Sequence, residues 1–119
     1  MLRLPAALIE RLLEEARRAY PQECCGLLLG DGPCLHPVRN LHPHPERAYE
    51  ADPGEVLRAL RAGTLRGFYH SHPDGSAWPS QRDHAEAWPG LTYLIVGRQV
   101  RAFRLRNGRL QVEPHREVA

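Results

Sequence analysis

The sequence contains no lysine, so all 16 of its basic residues are arginine. Against these stand 14 acidic residues, which leaves a formal net charge of only +2, and the arginines are scattered along the chain. A charge this small without a basic patch argues against a nucleic-acid partner. The missing lysine is best explained by codon usage in a GC-rich genome, because heat-adapted proteomes are enriched in lysine.

Long apolar runs are also missing, and no leader peptide is expected. No run approaches the ~20 apolar residues of a membrane span, so no membrane partner is expected. The start, MLRLPAALIERLLEE, has acidic residues within its apolar pattern and no small-residue cleavage site. The cysteines are few and odd in number (Cys24, Cys25 and Cys34), which leaves at least one thiol free. Reduced thiols in the cytoplasm are therefore expected.

The length of 119 residues, with 42% hydrophobic and 25% charged residues, is typical of one compact domain, here residues 1–119. Local patterns alternate between helical and strand periodicity. Helices are predicted over 4–21, 53–63 and 79–90, strands over 24–30, 65–72 and 91–97, two short strands within 33–53, and a hairpin turning at Asn107-Gly108. The predicted fold class is α/β, with a central mixed sheet flanked by helices and a C-terminal β-hairpin.

The stretch FYHSHPDGSAWPSQRD, residues 68–83, contains four candidate functional side chains. Alternate residues of a strand face the same side, so His70 and His72 point together. Ser80 stands where a helix should begin and Asp83 follows one turn later, so both can face one point. Two imidazoles and one carboxylate would leave the fourth tetrahedral position of a zinc ion open for water, as in catalytic sites.

The same residues also have an interpretation without metal. A His-x-His pair on a strand is common, and Ser-x-x-Asp before a helix is a capping-box pattern in which both side chains bind free backbone N–H groups. The combined spacing favours the metal more than either part alone, but the residues by themselves leave both interpretations open.

Other polar and aromatic residues carry weaker signals. His42 and His44 repeat the His-x-His spacing, but prolines follow both and a surface loop is the better interpretation. His84 is expected at the surface or outside the ligand set, and Cys25 in the core. Trp78 could border a substrate groove or anchor its loop.

The motif HSHPDGSAWPSQRD resembles, residue for residue, the signature of the JAMM (MPN-plus) zinc metalloproteases: His-x-His-Pro, six residues, Ser, two residues, Asp. That family also places a glutamate before an apolar strand, and YPQECCGLLLG supplies Glu23. The similarity extends from the first helix to about Gly97. The segment VRNLHPHPERAYEADP looks like the small stand-alone prokaryotic members.

This resemblance implies a cytidine-deaminase-like JAMM/MPN fold and a zinc (Zn²⁺) ion held by His70, His72 and Asp83. It implies Glu23 as general base and then general acid, and Ser80 as donor to the oxyanion. The implied partner is a ubiquitin-like or sulfur-carrier protein whose C-terminal tail ends in glycine. Whether an isopeptide or a C-terminal peptide bond is cut stays open, and iron, cobalt or manganese could occupy the same ligands in vitro.

Two other functions fit the sequence less well. A zinc deaminase is disfavoured because its H-x-E and P-C-x-x-C signature is absent and no cysteine follows Cys34. A non-catalytic MPN-type binding module with a structural zinc is the main alternative. The presence of Glu23 and Ser80 speaks against that alternative, since neither is needed to hold a metal.

Overall fold

The computed structural model describes residues 1–30 and 34–119, and within these ranges it contains eight strands and three helices. The strands are β1 (Leu2–Pro5), β2 (Cys25–Leu29), β3 (Cys34–Val38), β4 (Leu65–Ser71), β5 (Thr92–Val96), β6 (Val100–Arg106), β7 (Arg109–Val112) and β8 (His115–Val118). The helices are α1 (Ala6–Ala19), α2 (Pro53–Ala62) and α3 (Gln81–Glu86). Pro33, at the start of the predicted 33–53 segment, lies outside the described residues.

Six strands form the central sheet in the order β3-β2-β4-β5-β6-β7. Its neighbours are antiparallel except β4 and β5, which run parallel. The predicted mixed sheet is therefore confirmed. The hairpin of β6 and β7 is confirmed as well, and Asn107 (φ 53°) and Gly108 (φ 76°) both take the left-handed conformation that its two-residue turn requires.

The helices cover opposite faces of the sheet. Leu28 of β2 belongs to a buried cluster with Leu8 and Leu12 of α1. Its neighbours Leu27 and Leu29 pack with Ala59 of α2. Because alternate residues of a strand face opposite sides, β2 is covered on both faces, which explains its uninterrupted apolar sequence.

Strands β2 and β4 meet closely at Gly26 and Tyr69, which are partners in the ladder. A Cβ atom on Gly26 would lie 2.5 Å from the Tyr69 ring, so only glycine leaves room for it. The Tyr69 hydroxyl donates to the Glu15 carboxylate of α1 at 2.7 Å. This contact fixes the middle of β4, the strand that carries the two motif histidines.

Two local predictions were wrong, and one strand pairing was not predicted. The first helix begins at Ala6 rather than Leu4, because Leu2–Pro5 forms β1, which pairs in parallel with β8. That pairing joins segments far apart in the sequence and was not predicted. Within 34–53, the structure has one strand, β3, and a single bridge between Asn40 and Ala51 in place of a second strand. Among the described residues, no helix is both long and apolar enough to cross a membrane.

Candidate metal centre

The two motif histidines converge at the end of β4. His70 pairs with Cys25 on one side and Ile95 on the other, and it is only 2% exposed. His72 follows the strand, and its backbone N–H donates to Val96. The Nε2 atoms of His70 and His72 lie 3.0 Å apart. The side chains therefore point to one place, as the strand periodicity predicts.

The start of α3 brings the third motif residue to the same place. The Ser80 hydroxyl accepts the Asp83 backbone N–H at 3.1 Å, and the Asp83 carboxylate accepts the Ser80 N–H at 2.9 Å, which is a complete capping box. Asp83 Oδ1 lies 3.2 Å from His70 Nε2, and Oδ2 lies 3.2 Å from His72 Nε2. Capping and convergence on the imidazoles therefore occur together rather than as alternatives.

Glu23 lies beside this cluster, two residues before β2, and it is only 6% exposed. One carboxylate oxygen of Glu23 and a ring nitrogen of each histidine lie within 4.8 Å of one another. Burial raises the pKa of Glu23 to about 7, with the nearby Asp83 carboxylate adding to the rise and His72 opposing it. Near neutral pH this carboxyl group can therefore both accept and release a proton.

The three convergent groups have pKa values shifted by one another. Burial opposes ionisation of Asp83, but hydrogen bonds from both imidazoles hold its pKa well below the usual range. Burial lowers the pKa of His70. Burial also works against the charged form of His72, but Asp83 outweighs it and raises the His72 pKa. Asp83 is thus ionised, the form in which a carboxylate binds metal.

The outer nitrogens of the two rings differ. His72 Nδ1 lies 3.1 Å from the Ser76 carbonyl oxygen, which can only accept, so Nδ1 carries a proton and Nε2 is the nitrogen that the neutral ring could offer to a metal. His70 Nδ1 is buried and has no hydrogen-bond partner among the described residues. Ring orientation at His72 is therefore set by a hydrogen bond, whereas His70 depends on packing.

The donor atoms fit a zinc ion. Bonds of about 2.0 Å in a tetrahedron place neighbouring ligand atoms roughly 3.3 Å apart. The separations between the two Nε2 atoms and from each to an Asp83 oxygen are 3.0, 3.2 and 3.2 Å. Two imidazoles and a carboxylate are a donor set that catalytic zinc sites use, so these three side chains could hold such an ion.

A cleft of about 640 Å³ opens over the cluster. Its lining includes Glu23, Tyr49, His72, Trp78, Ser80 and Asp83. Trp78 borders the cleft with 52% of its surface exposed, and its ring also packs against Phe103 and under the Arg101 guanidinium. It therefore anchors its loop and lines the cleft at once.

The remaining sequence candidates lie outside the ligand set. His42 Nε2 contacts the Arg82 guanidinium at 2.9 Å, and His84 Nδ1 accepts the Leu110 N–H at 2.9 Å. Cys25 is a core residue with 1% exposure, as predicted. Tyr49, whose ring stacks on His70, was missed from the sequence because nothing in its local pattern distinguishes it.

Fold and site together define a class. A JAB1/MPN domain protein of Archaeoglobus fulgidus superposes with a TM-score of 0.65 at 18% identity, covering 100% of this chain and 98% of that one. This likeness establishes the JAB1/MPN fold and confirms the predicted fold class. Within it, the chain belongs to the prokaryotic homologs of the JAB domain, the family that its sequence matches over residues 5–106.

Two named relatives are similar over most of their length. A desampylase of Haloferax volcanii is 39% identical over 109 residues, covering 79% of this chain and 78% of its own. A probable TtuB-protein conjugate cleaving protease of Thermus thermophilus is 40% identical over 116 residues, covering 91% of this chain and 78% of its own. The resemblance to the JAMM metalloproteases is thereby confirmed.

Proposed function

We propose that this chain is a zinc-dependent peptidase of the JAMM type that hydrolyses the amide bond after the C-terminal tail of a ubiquitin-like or sulfur-carrier protein. The observation that carries the proposal is the convergence of His70, His72 and Asp83 beside the buried carboxyl group of Glu23. The names of the two relatives, a desampylase and a conjugate-cleaving protease, support the same reaction class.

His70, His72 and Asp83 would hold the zinc ion. When bound, zinc supplies a Lewis acid that polarises the scissile carbonyl and makes a water molecule more acidic. The chain itself contributes two neutral imidazole nitrogens and an ionised carboxylate, with the cap of α3 holding the carboxylate in place. The ligand set leaves space on the cleft side, where Glu23 lies.

Glu23 would take the proton from the attacking water and then deliver it to the departing amine. A pKa of about 7 suits both steps, because the group is then neither too weak a base nor too weak an acid near neutrality. The Ser80 hydroxyl accepts the Asp83 N–H through its oxygen, so its own hydrogen is free to donate. We assign that donation to the developing oxyanion.

The substrate tail would enter the cleft in an extended form, between Trp78 on one side and the Glu46–Tyr49 wall on the other. A tail that ends in glycine has the least side-chain bulk at the scissile bond. Extended tails are commonly bound by strand addition, in which backbone hydrogen bonds supply affinity. We further propose that residues 1–119 act as one domain and that the protein works in the cytoplasm, as its free thiols favour.

The test uses a sulfur-carrier protein with a short C-terminal extension, incubated with the enzyme with and without chelator and analysed by mass spectrometry. We expect cleavage after the final glycine, which chelator abolishes. Glu23→Gln should keep about one zinc ion per chain but lose turnover, because an amide cannot accept the proton. Asp83→Ala should lose both zinc and turnover.

The control is His44→Ala, which alters the second His-x-His pair and should stay fully active. An active Glu23→Gln enzyme would show that the base is misassigned. A wild-type protein that binds zinc and the carrier but never cleaves it would instead favour a binding module with a structural zinc.

A further inference from the structure

Asn40 lies outside the cleft but hydrogen-bonds the backbone of Glu23 and of the two residues that flank Tyr49. We propose that Asn40 is a positioning residue, which holds the backbone of Glu23 and, through Tyr49, the ring of His70. This inference rests on the proposed function, because it assigns Asn40 to the same reaction.

The Asn40 side chain uses its full hydrogen-bonding capacity. Its Nδ2 group donates to the backbone carbonyls of Glu23 and Ala48, both at 3.0 Å. Its Oδ1 atom accepts the backbone N–H groups of His42 and Glu50, both at 3.0 Å. A side-chain amide has two donor hydrogens and two acceptor lone pairs, so no capacity is left over. All four bonds are made to backbone groups, so they fix the position of the main chain and do not affect the charge of any side chain.

The first consequence concerns Glu23. Its carbonyl oxygen is held by Asn40, and its N–H donates to the Pro45 carbonyl at 2.7 Å. Both backbone groups of Glu23 are thus bound by the 40–50 segment, just before β2 begins. These two bonds define the backbone position of Glu23, and from that position its carboxyl group reaches His70 and His72.

The second consequence concerns His70. Its Nδ1 atom is buried without a partner among the described residues, so it lacks the hydrogen bond that usually orients a ligating imidazole. The Tyr49 ring instead stacks on it, with centroids 4.5 Å apart and planes inclined by 26°. Asn40 binds the residues on either side of Tyr49, namely Ala48 and Glu50. The amide therefore holds the tyrosine whose ring orients His70.

The experiment compares Asn40→Ala and Asn40→Asp with the wild type. Asn40→Asp keeps both acceptor contacts but loses the two N–H donors. It therefore removes only the hydrogen bonds to the backbone carbonyls of Glu23 and Ala48. The matched control is Thr92→Val, which removes side-chain hydrogen bonds to Glu113 and Arg104 at the far end of the sheet. Thermal unfolding of each variant measures how much stability it loses.

The first readout is kinetic. We expect kcat to fall about 10- to 100-fold in both Asn40 variants, with KM within about threefold of wild type, the size typical for residues that orient catalytic-metal ligands. Thr92→Val should lower Tm by an amount similar to that in the Asn40 variants but should leave kcat unchanged. The positioning role is refuted if the Asn40 variants lose no more kcat than Thr92→Val.

The second readout needs no activity. The ring-proton NMR shifts of His70 report the stacked Tyr49 ring, and Tyr49→Leu gives the unstacked reference while Tyr49→Phe keeps the stack. In Asn40→Ala the His70 shifts should move toward those of Tyr49→Leu, and unchanged shifts would overturn the proposal. If the wild type proves inactive, the proposed function fails, but this comparison still decides the placement of His70.

Discussion

Asp83 accepts the backbone N–H of Ser80 through Oδ2, the same oxygen that lies 3.2 Å from Nε2 of His72. The first turn of α3 and the candidate metal centre therefore share one carboxylate. Because the cap restrains the torsions of Asp83, its oxygens face the imidazoles. The sequence Ser-x-x-Asp thus starts a helix and orients a candidate metal ligand by the same two hydrogen bonds.

Substitutions at Ser80 should separate its capping role from its chemical role. Ser80→Ala removes both and should cost about 1 kcal/mol of stability, whereas Ser80→Gly costs only a few tenths because glycine is tolerated at the N-cap. Both should lower kcat by about 10²–10³, since neither supplies a hydroxyl donor. Ser80→Thr should retain most activity. Steady-state kinetics and thermal unfolding measure the two effects, and a fully active Ser80→Gly would remove Ser80 from the chemistry.

Zinc should stabilise the fold through the three convergent ligands. At a free zinc concentration 100 times the dissociation constant, binding adds about 2.7 kcal/mol, so the Tm should rise by several degrees over the chelated protein. The rise should vanish in Asp83→Ala and His70→Ala. His44→Ala, outside the cluster, should keep it. Differential scanning calorimetry provides the measurement, and an equal response in Asp83→Ala would place the metal elsewhere.

Gly97 should be required for the orientation of His72. A Cβ atom at this position would collide with the Gly75 carbonyl oxygen and would lie 2.6 Å from the Ser76 oxygen that binds His72 Nδ1. Gly97→Ala should therefore displace that carbonyl and weaken zinc affinity about 10- to 100-fold, as measured by competition with a chromogenic chelator.

Gly63→Ala is the matched control for Gly97→Ala, because a Cβ there meets the Leu29 Cβ at an ordinary 3.5 Å. It should leave zinc affinity unchanged and stability within about 0.5 kcal/mol. Equal affinities for zinc in the two alanine variants would contradict the role given to the Ser76 carbonyl.

The N-cap of α2 should make stability depend on acid pH. Asp52 accepts the Gly54 N–H and pairs with Arg39 at 2.6 Å. Burial works against its ionised form, but the hydrogen bond and charge of Arg39 and the backbone N–H groups of Gly54 and Glu55 together outweigh burial, so the Asp52 pKa falls below its usual value. A lowered folded-state pKa stabilises the fold above the unfolded pKa of about 3.9, and this contribution is lost as pH falls through the folded pKa.

Asp52→Asn should accordingly unfold at a lower temperature than wild type at pH 7, and the difference in Tm should narrow progressively as the pH falls below about 4. Chelator is present throughout, so that zinc release does not contribute. Glu14→Gln, which removes exposed ion pairs with Arg17 and Arg18, should show little difference in Tm from wild type at pH 7 or in acid. If the Tm of Asp52→Asn stayed below that of wild type in acid, the loss of stability would come from the shape of the side chain rather than from its charge.

Local patterns predicted most of the elements, and the spacing of the motif predicted where its side chains meet. His70 and His72 share a strand face, and Ser80 and Asp83 share a helical turn. Short-range spacing in the sequence is therefore enough to predict which of these side chains point the same way. Glu23 is different, since only the family resemblance indicated it. The assignment of roles to these five residues stays a prediction until the variants are measured.

Relations between distant segments were not predictable. The pairing of Leu2–Pro5 with His115–Val118 joins two four-residue strands, each too short to stand out from its neighbours. Asn40 was unremarkable in the sequence, because its partners at Glu23, Ala48 and Glu50 are backbone groups and leave no side-chain pattern. Side-chain contacts with the backbone of distant segments can be recognised only once the chain is folded.

The single parallel pair of the central sheet, β4 with β5, has a consequence for the length of the chain between them. Parallel neighbours cannot be joined by a tight turn and require a crossover of a dozen or more residues. Residues 72–91 form that crossover, which contains His72, Ser80 and Asp83. Trimming this connection to fewer than about a dozen residues would therefore break the strand order itself, whereas β6 and β7 could tolerate changes at their turn.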